Sequence, residues 1–193
     1  MTPNQARVAP FAVVLGGGLM AALFVPFTLA HGPTSDNLER EILGWDMHRW
    51  GFLLGVLPNL LIAGGLWRGR ERIAGGRRGA TVALAVGCVA LLLDALMNLV
   101  FRALGPPFVL FLLAPAAVVL AALIPTGDAA RTRTRVVVVA LGVVLAAGLA
   151  LASVPQETSD SLDGYRVFGI VVFGVGGVLW ALLGVSLLRR RAA

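Results

Sequence analysis

The chain reads as an all-α protein, a bundle of six membrane-spanning helices, and three observations carry that reading. Its 193 residues are 58% hydrophobic and only 13% charged, with a mean hydropathy of +0.88. A water-soluble domain carries about 25% charged residues, so this chain has half the charge needed to coat a surface of its size. The same balance excludes disorder, which needs low hydrophobicity and high charge. The apolar residues also fall in six unbroken runs, at 8–30, 50–67, 80–101, 107–124, 136–153 and 167–188. Crossing ~30 Å of hydrocarbon takes about 20 helical residues, whereas barrel strands would alternate polar with apolar in pieces of about ten. Finally, the six runs together hold one formal charge, Asp94.

Run one, 8–30, ends in Thr28, Leu29 and Ala30, with Thr28 and Ala30 as small residues at the spacing a signal peptidase prefers. It is longer than a usual signal core of about 7–15 residues, so it is read as a retained span. The connection after it, 31–49, carries a helix signal of its own. Asp36 can cap and Glu39 can complete the box, with Leu38, Ile42 and Trp45 following at helical spacing. A short helix over 36–45 in the headgroup region, with Trp45 and Trp50 at the depth of an aromatic belt, is one expectation, and an ordinary solvated loop is the other. Pro58 in run two and Pro115 in run four would break soluble helices, but neighbouring groups re-satisfy the backbone within a bundle. Pro58 should free the carbonyl of Leu54. The polar stretch 155–166 has no apolar pattern and reads as a plain loop. Small residues recur at four-residue steps as Gly18, Ala22 and Pro26, as Gly142, Ala146 and Ala150, and as Gly177 and Ala181. Such steps let backbones approach closely, within the bundle or against a partner subunit.

All sixteen basic residues are Arg, and they sit in short clusters between the apolar runs rather than along one amphipathic face. The formal charge of +6 is therefore an orientation signal, and no nucleic-acid partner is expected. With the amino terminus in the cytoplasm, twelve Arg lie inside and four, Arg40, Arg49, Arg102 and Arg166, lie outside. That asymmetry fits the positive-inside rule and puts both termini in the cytoplasm of a bacterial inner membrane. The partner common to every part of the chain is the lipid bilayer. A lone cysteine, Cys88, rules out an internal disulfide.

Asp94 is the residue most able to carry chemistry, because a carboxylate at a helix centre costs roughly 2.5–3.5 kcal/mol on insertion scales. It should face protein or water rather than lipid. Asn98 and Arg102 follow at successive steps of four and make a polar stripe with it. Counted from the outer ends of their runs at 1.5 Å per residue, Asp94 lies about 10 Å deep and Asn59 about 13 Å. The two can meet. A pocket open to the outside, floored by Asp94, Asn98 and Asn59 and rimmed by His31, His48, Arg49 and Arg102, is the candidate ligand or proton site. A plainer reading stands beside it, in which Asp94 and Asn98 only bond neighbouring helices. Arg102 lies about 12 Å along the axis from Asp94 and should snorkel to the headgroups.

His31 and His48 match no metal-ligand spacing, so no metal is expected. Neither G-x-S-x-G, H-E-x-x-H nor a phosphate-binding glycine loop is present, and Gly16, Gly17 and Gly18 lie inside an apolar run. No catalytic residue and no cofactor is therefore assigned, and an outer-face enzyme using His31, His48 and Asp94 is the weakest reading. The leading expectation is a non-enzymatic component that binds a small molecule or ion from the outer side, within a transport system. The alternative is a structural or assembly protein that docks a membrane-protein partner, or a second copy, through its small-residue faces. In length, span number and placement of the termini the chain is similar to the substrate-binding membrane subunits of energy-coupling-factor transporters, a likeness of topology alone.

Overall fold

The computed structural model describes residues 5–30, 41, 43–101, 108–123, 129–152, 167 and 169–188. Among them every element is helical and there is no strand. Helix α1 runs Gln5–Ala30. A second rod follows without interruption from α2, Met47–Gly51, through a π-helical stretch, Phe52–Val56, into α3, Leu57–Arg68. After the short α4, Arg70–Ala74, come α5, Arg78–Phe101, α6, Phe108–Leu123, and α7, Ala129–Ala152. A second π-helical stretch, Ile170–Val175, leads into α8, Gly176–Leu188.

These rods close a ring in chain order. Helix α1 packs on α3, α3 on α5, α5 on α6, α6 on α7, α7 on α8, and α8 returns to α1. The centre is filled by Val13, Ile62, Leu84, Val118, Leu141 and Leu183, one from each long rod and all wholly buried. The outer surface is apolar too: Phe11, Leu15, Val82, Leu92, Val143 and Leu182 are each more than two-fifths exposed. Polar residues go the other way, with Asn59, Asp94, Asn98 and Thr134 buried. A helix in water shows polar residues on its exposed face. This inverted arrangement suits helices solvated by hydrocarbon.

Four helical stretches are long and apolar enough to cross a membrane, Val8–Phe27, His48–Arg68, Arg78–Val100 and Ile170–Leu188, with mean hydropathies from 1.5 to 2.3. A shorter apolar stretch, Leu113–Leu123, lies in α6. Hydropathy alone selects these rods; tight backbone approach then fixes how they pack. A Cβ on Gly17 would stand 2.5 Å from the carbonyl oxygen of Gly177, and one on Gly177 would stand 2.7 Å from the amide of Ala21. Only glycine lets α1 and α8 come so close.

Three consecutive glycines in α1 meet three surroundings, because a helix turns about 100° per residue. Gly16 lies against Ile62 and the carbonyl of Pro58 on α3, Gly17 against α8, and Gly18 has nothing within 4 Å. The expected stripe of Gly18, Ala22 and Pro26 is therefore not the seam of the bundle. Ala22 and Pro26 are exposed, and the seam runs one residue earlier, through Gly17 and Ala21. In α7, Gly142 meets Val119 of α6, while Ala146 and Ala150 are exposed. In α8 the expected Gly177 and Ala181 do form the contact.

Two connections also depart from expectation. Most of the helix expected over 36–45, with its Asp36 cap, lies outside the described residues. At its far end Leu43 and Gly44 form a turn with φ of 54° and 76°, so that helix does not reach Trp45. The N-cap is Asp46 instead, whose Oδ1 accepts the N–H of Arg49 at 2.7 Å. Trp50 is turned inward, 3% exposed against Phe27, rather than out to a headgroup belt, while Trp45 remains at the surface. Between α3 and α5, α4 buries Ile73 and Ala74 and ends at Gly75, whose φ of 60° lets the chain reverse into α5.

Candidate functional site

Asp94 owes its position to the face of α5 that turns inward. Leu91, Asp94, Ala95 and Asn98 are buried, while Leu92, Leu93, Leu96 and Leu99 are exposed, a helical period with polar residues in the apolar stripe. Opposite stands the π-helical stretch of the second rod. There the N–H of Leu57 reaches the carbonyl of Phe52, five residues back, and Pro58 follows with no N–H to give. One turn on, a side chain adds to the backbone ladder: Asn59 Nδ2 donates to the carbonyl of Gly55 at 2.7 Å.

The same amide of Asn59 donates to Asp94 Oδ2 across the helix interface. On α5, Asn98 Nδ2 donates to the Asp94 carbonyl at 2.9 Å and to Asp94 Oδ1 at 3.3 Å. Both carboxylate oxygens thus accept from amides. Asn98 lies against Gly55, where an added Cβ would stand 2.5 Å from the amide carbon and 2.8 Å from Oδ1. That Oδ1 is buried and has no donor.

Of the residues expected to form the site, the structure brings together Asn59, Asp94 and Asn98, at 4%, 8% and 4% exposure. His48 is elsewhere. It is exposed and lines a recess of about 440 Å³ with Trp45, Arg49, Phe52 and Leu53, whose walls include none of the three. The expected pocket with its polar floor and basic rim is therefore two separate features among the described residues. Arg49 faces Asp46 at 3.8 Å at the exposed end of the rod. His31 and Arg102 lie outside the described residues.

Gly55 is the participant that sequence reasoning passed over. Its signal was present: a glycine four residues before Asn59 and three before Pro58, in a run otherwise built of bulky residues at that depth. Toward the end of the bundle that holds Ala30 lies a cluster of aromatic rings. Phe24 stacks on Phe173 of the second π-helical stretch, and Phe27 packs on Trp50.

Chemically, the node is a carboxylate held by amide donors beside an idle carbonyl oxygen. Its side chains are one carboxylate and two amides, and among the described residues no three His, Cys, Asp or Glu side chains gather. No family model matches the chain, nor does any curated protein or solved structure, and the likeness of topology to energy-coupling-factor subunits gains no support from them.

Proposed function

We propose that the chain is a six-span protein of a bacterial inner membrane, with both termini in the cytoplasm, that binds a small polar molecule or ion at Asn59, Asp94 and Asn98 from the outer side, without catalysing a reaction on it. The observation that carries the reading is the composition of the node. Asp94 is buried with no cationic side chain bonded to it among the described residues, and the Asn98 oxygen beside it lacks a donor. An ionisable side chain inside a membrane helix is costly and is retained where it serves a ligand or ion path. The span count draws on the six packed rods, α6 and α7 included. The orientation draws on the arginines, which crowd the end of the bundle that holds Gln5.

Access to the node is the test. Asn98→Cys in a Cys88→Ala background, treated in intact spheroplasts with a membrane-impermeant thiol reagent, should be modified from the outside and not from inverted vesicles. A cysteine sealed from both sides overturns the reading. It would favour a second one, docking of a membrane-protein partner or a second copy on the outward face of α1, where Gly18 has open space beside it and Ala22 and Pro26 are exposed.

A further inference from the structure

We infer that the node is a monovalent-cation site, in which the Asp94 carboxylate and the side-chain carbonyl of Asn98 supply oxygen ligands to an alkali ion. This rests on the reading of the node as a ligand site and adds the charge and class of the ligand. A count of hydrogen-bonding groups leads there. An amide nitrogen has two hydrogens. Those of Asn59 go to the Gly55 carbonyl and to Asp94 Oδ2, and those of Asn98 go to the Asp94 carbonyl and to Oδ1. With Asp94 ionised, every side-chain donor of the node is spent. What remains is oxygen: Asn98 Oδ1, in a residue 4% exposed, with nothing to accept from.

The charge argument is independent of that count. Asp94 is the one formal charge in the apolar runs, and the ion pair found among the described residues, Arg49 with Asp46, is not part of the node. A buried charge without a counter-charge is strongly destabilising. A place with negative charge and a spare oxygen, but no free donor, accepts a cation and repels an anion. The ligands are hard oxygens, with neither thiolate nor imidazole among them, which suits an alkali ion over a transition metal. One carboxylate balances one positive charge, and calcium sites draw on more oxygen and usually more carboxylates. The wall facing Asn98 is the π-helical stretch before Pro58, where the backbone is short of an N–H. Carbonyls of such irregular helix are the groups that complete ion sites inside membranes.

The full chain, purified in detergent, tests this by its thermal midpoint, read from tryptophan fluorescence, as choline chloride is replaced by lithium, sodium or potassium chloride at constant ionic strength. A ligand that binds the folded state alone raises the midpoint in a saturable way. One of the three ions should do so. Asp94→Asn should abolish the rise, and Asn98→Ala should increase the half-saturating concentration about tenfold or more, the loss of one charge-assisted ligand. Equal midpoints in all four chlorides overturn the proposal, as does a rise that survives unchanged in Asn98→Ala, a variant that keeps the charge should Asp94→Asn fail to fold. Equal midpoints with outward labelling of Asn98→Cys refute the cation alone, whereas a saturable rise with no labelling refutes outward access and supports the cation.

Discussion

At the end of the bundle that holds Gln5, Arg72 Nη1 donates to the carbonyl of Leu187 at 2.9 Å and Arg135 Nε donates to the carbonyl of Ala122 at 3.2 Å. Two guanidinium groups therefore sit on the last turns of α8 and α6, where free carbonyls and the helix dipole welcome positive charge. In the other half of the bundle, Asp94 is buried among the amides of Asn59 and Asn98, away from any helix terminus. Both arrangements hold a charge on an apolar scaffold, but they differ in what they ask of the packing. The arginines reach helix ends with long side chains and need no special backbone. The carboxylate needs a partner helix cut to fit it, with a glycine, a π-helical turn and a proline within seven residues.

The backbone seat of the node is therefore its most sensitive point. Gly55→Val would put side-chain atoms where the Asn98 amide now lies, 2.5 Å from the nearest Cβ position. Overpacking of this kind costs about 1–3 kcal/mol. The expected outcome is a clearly lowered thermal midpoint in detergent, while Gly51→Ala, on the same rod with nothing within 4 Å, stays close to wild type. Asn98→Ala combined with Gly55→Val should recover part of the loss, because the two residues compete for one space. Additive losses would mean that Gly55 acts through its backbone and not as the seat of Asn98.

Next in size is the amide that joins the two helices. Asn59→Ala takes donors from the Gly55 carbonyl and from Asp94 Oδ2 at once. A polar contact between membrane helices averages about 0.6 kcal/mol, and leaving two buried acceptors bare should raise that to about 1–2 kcal/mol. Thermal unfolding of the purified variant measures it. A cost no larger than the average single contact would place the node among ordinary interhelical bonds and remove its distinction from the rest of the bundle.

Much of this node was legible from residue positions, and the reasons are geometric. The steady rise of a helix set Asp94 and Asn59 at similar depths from the same side, and a step of four put Asn98 on the Asp94 face. Local irregularity is invisible to such counting. A π-helical turn inserts one residue into the helical count and rotates everything after it, so the seat offered by Gly55 could not be reckoned from Trp50 inward. Rotation also misled the reading of α1. With Gly16, Gly17 and Gly18 in a row, composition marks a close approach but not its direction, and only the neighbours decide that Gly17 meets α8. His48 shows the converse error: it shares an end of the bundle with the node but lies on the exposed turn capped by Asp46, lining a recess that includes none of the node's residues.

The smallest effects are expected among the arginines, and they test the other half of the comparison. Arg72→Ala removes a charge-assisted bond to a helix C-terminus from a partly buried position. Such contacts are worth about 0.3–1 kcal/mol when exposed and up to ~2 kcal/mol in favourable partly buried geometry, so a loss near 1 kcal/mol is expected. Arg135→Ala should cost less. Its Nε also meets a helix end, but its Nη2 is buried without an acceptor, and that penalty disappears with the side chain. Thermal midpoints of the two variants in the same detergent give the order directly. A loss at Arg135 equal to that at Asn59 would show that this end, too, depends on a fitted polar site. Helix termini would then be no cheaper a place to hold a charge than the interior of the ring.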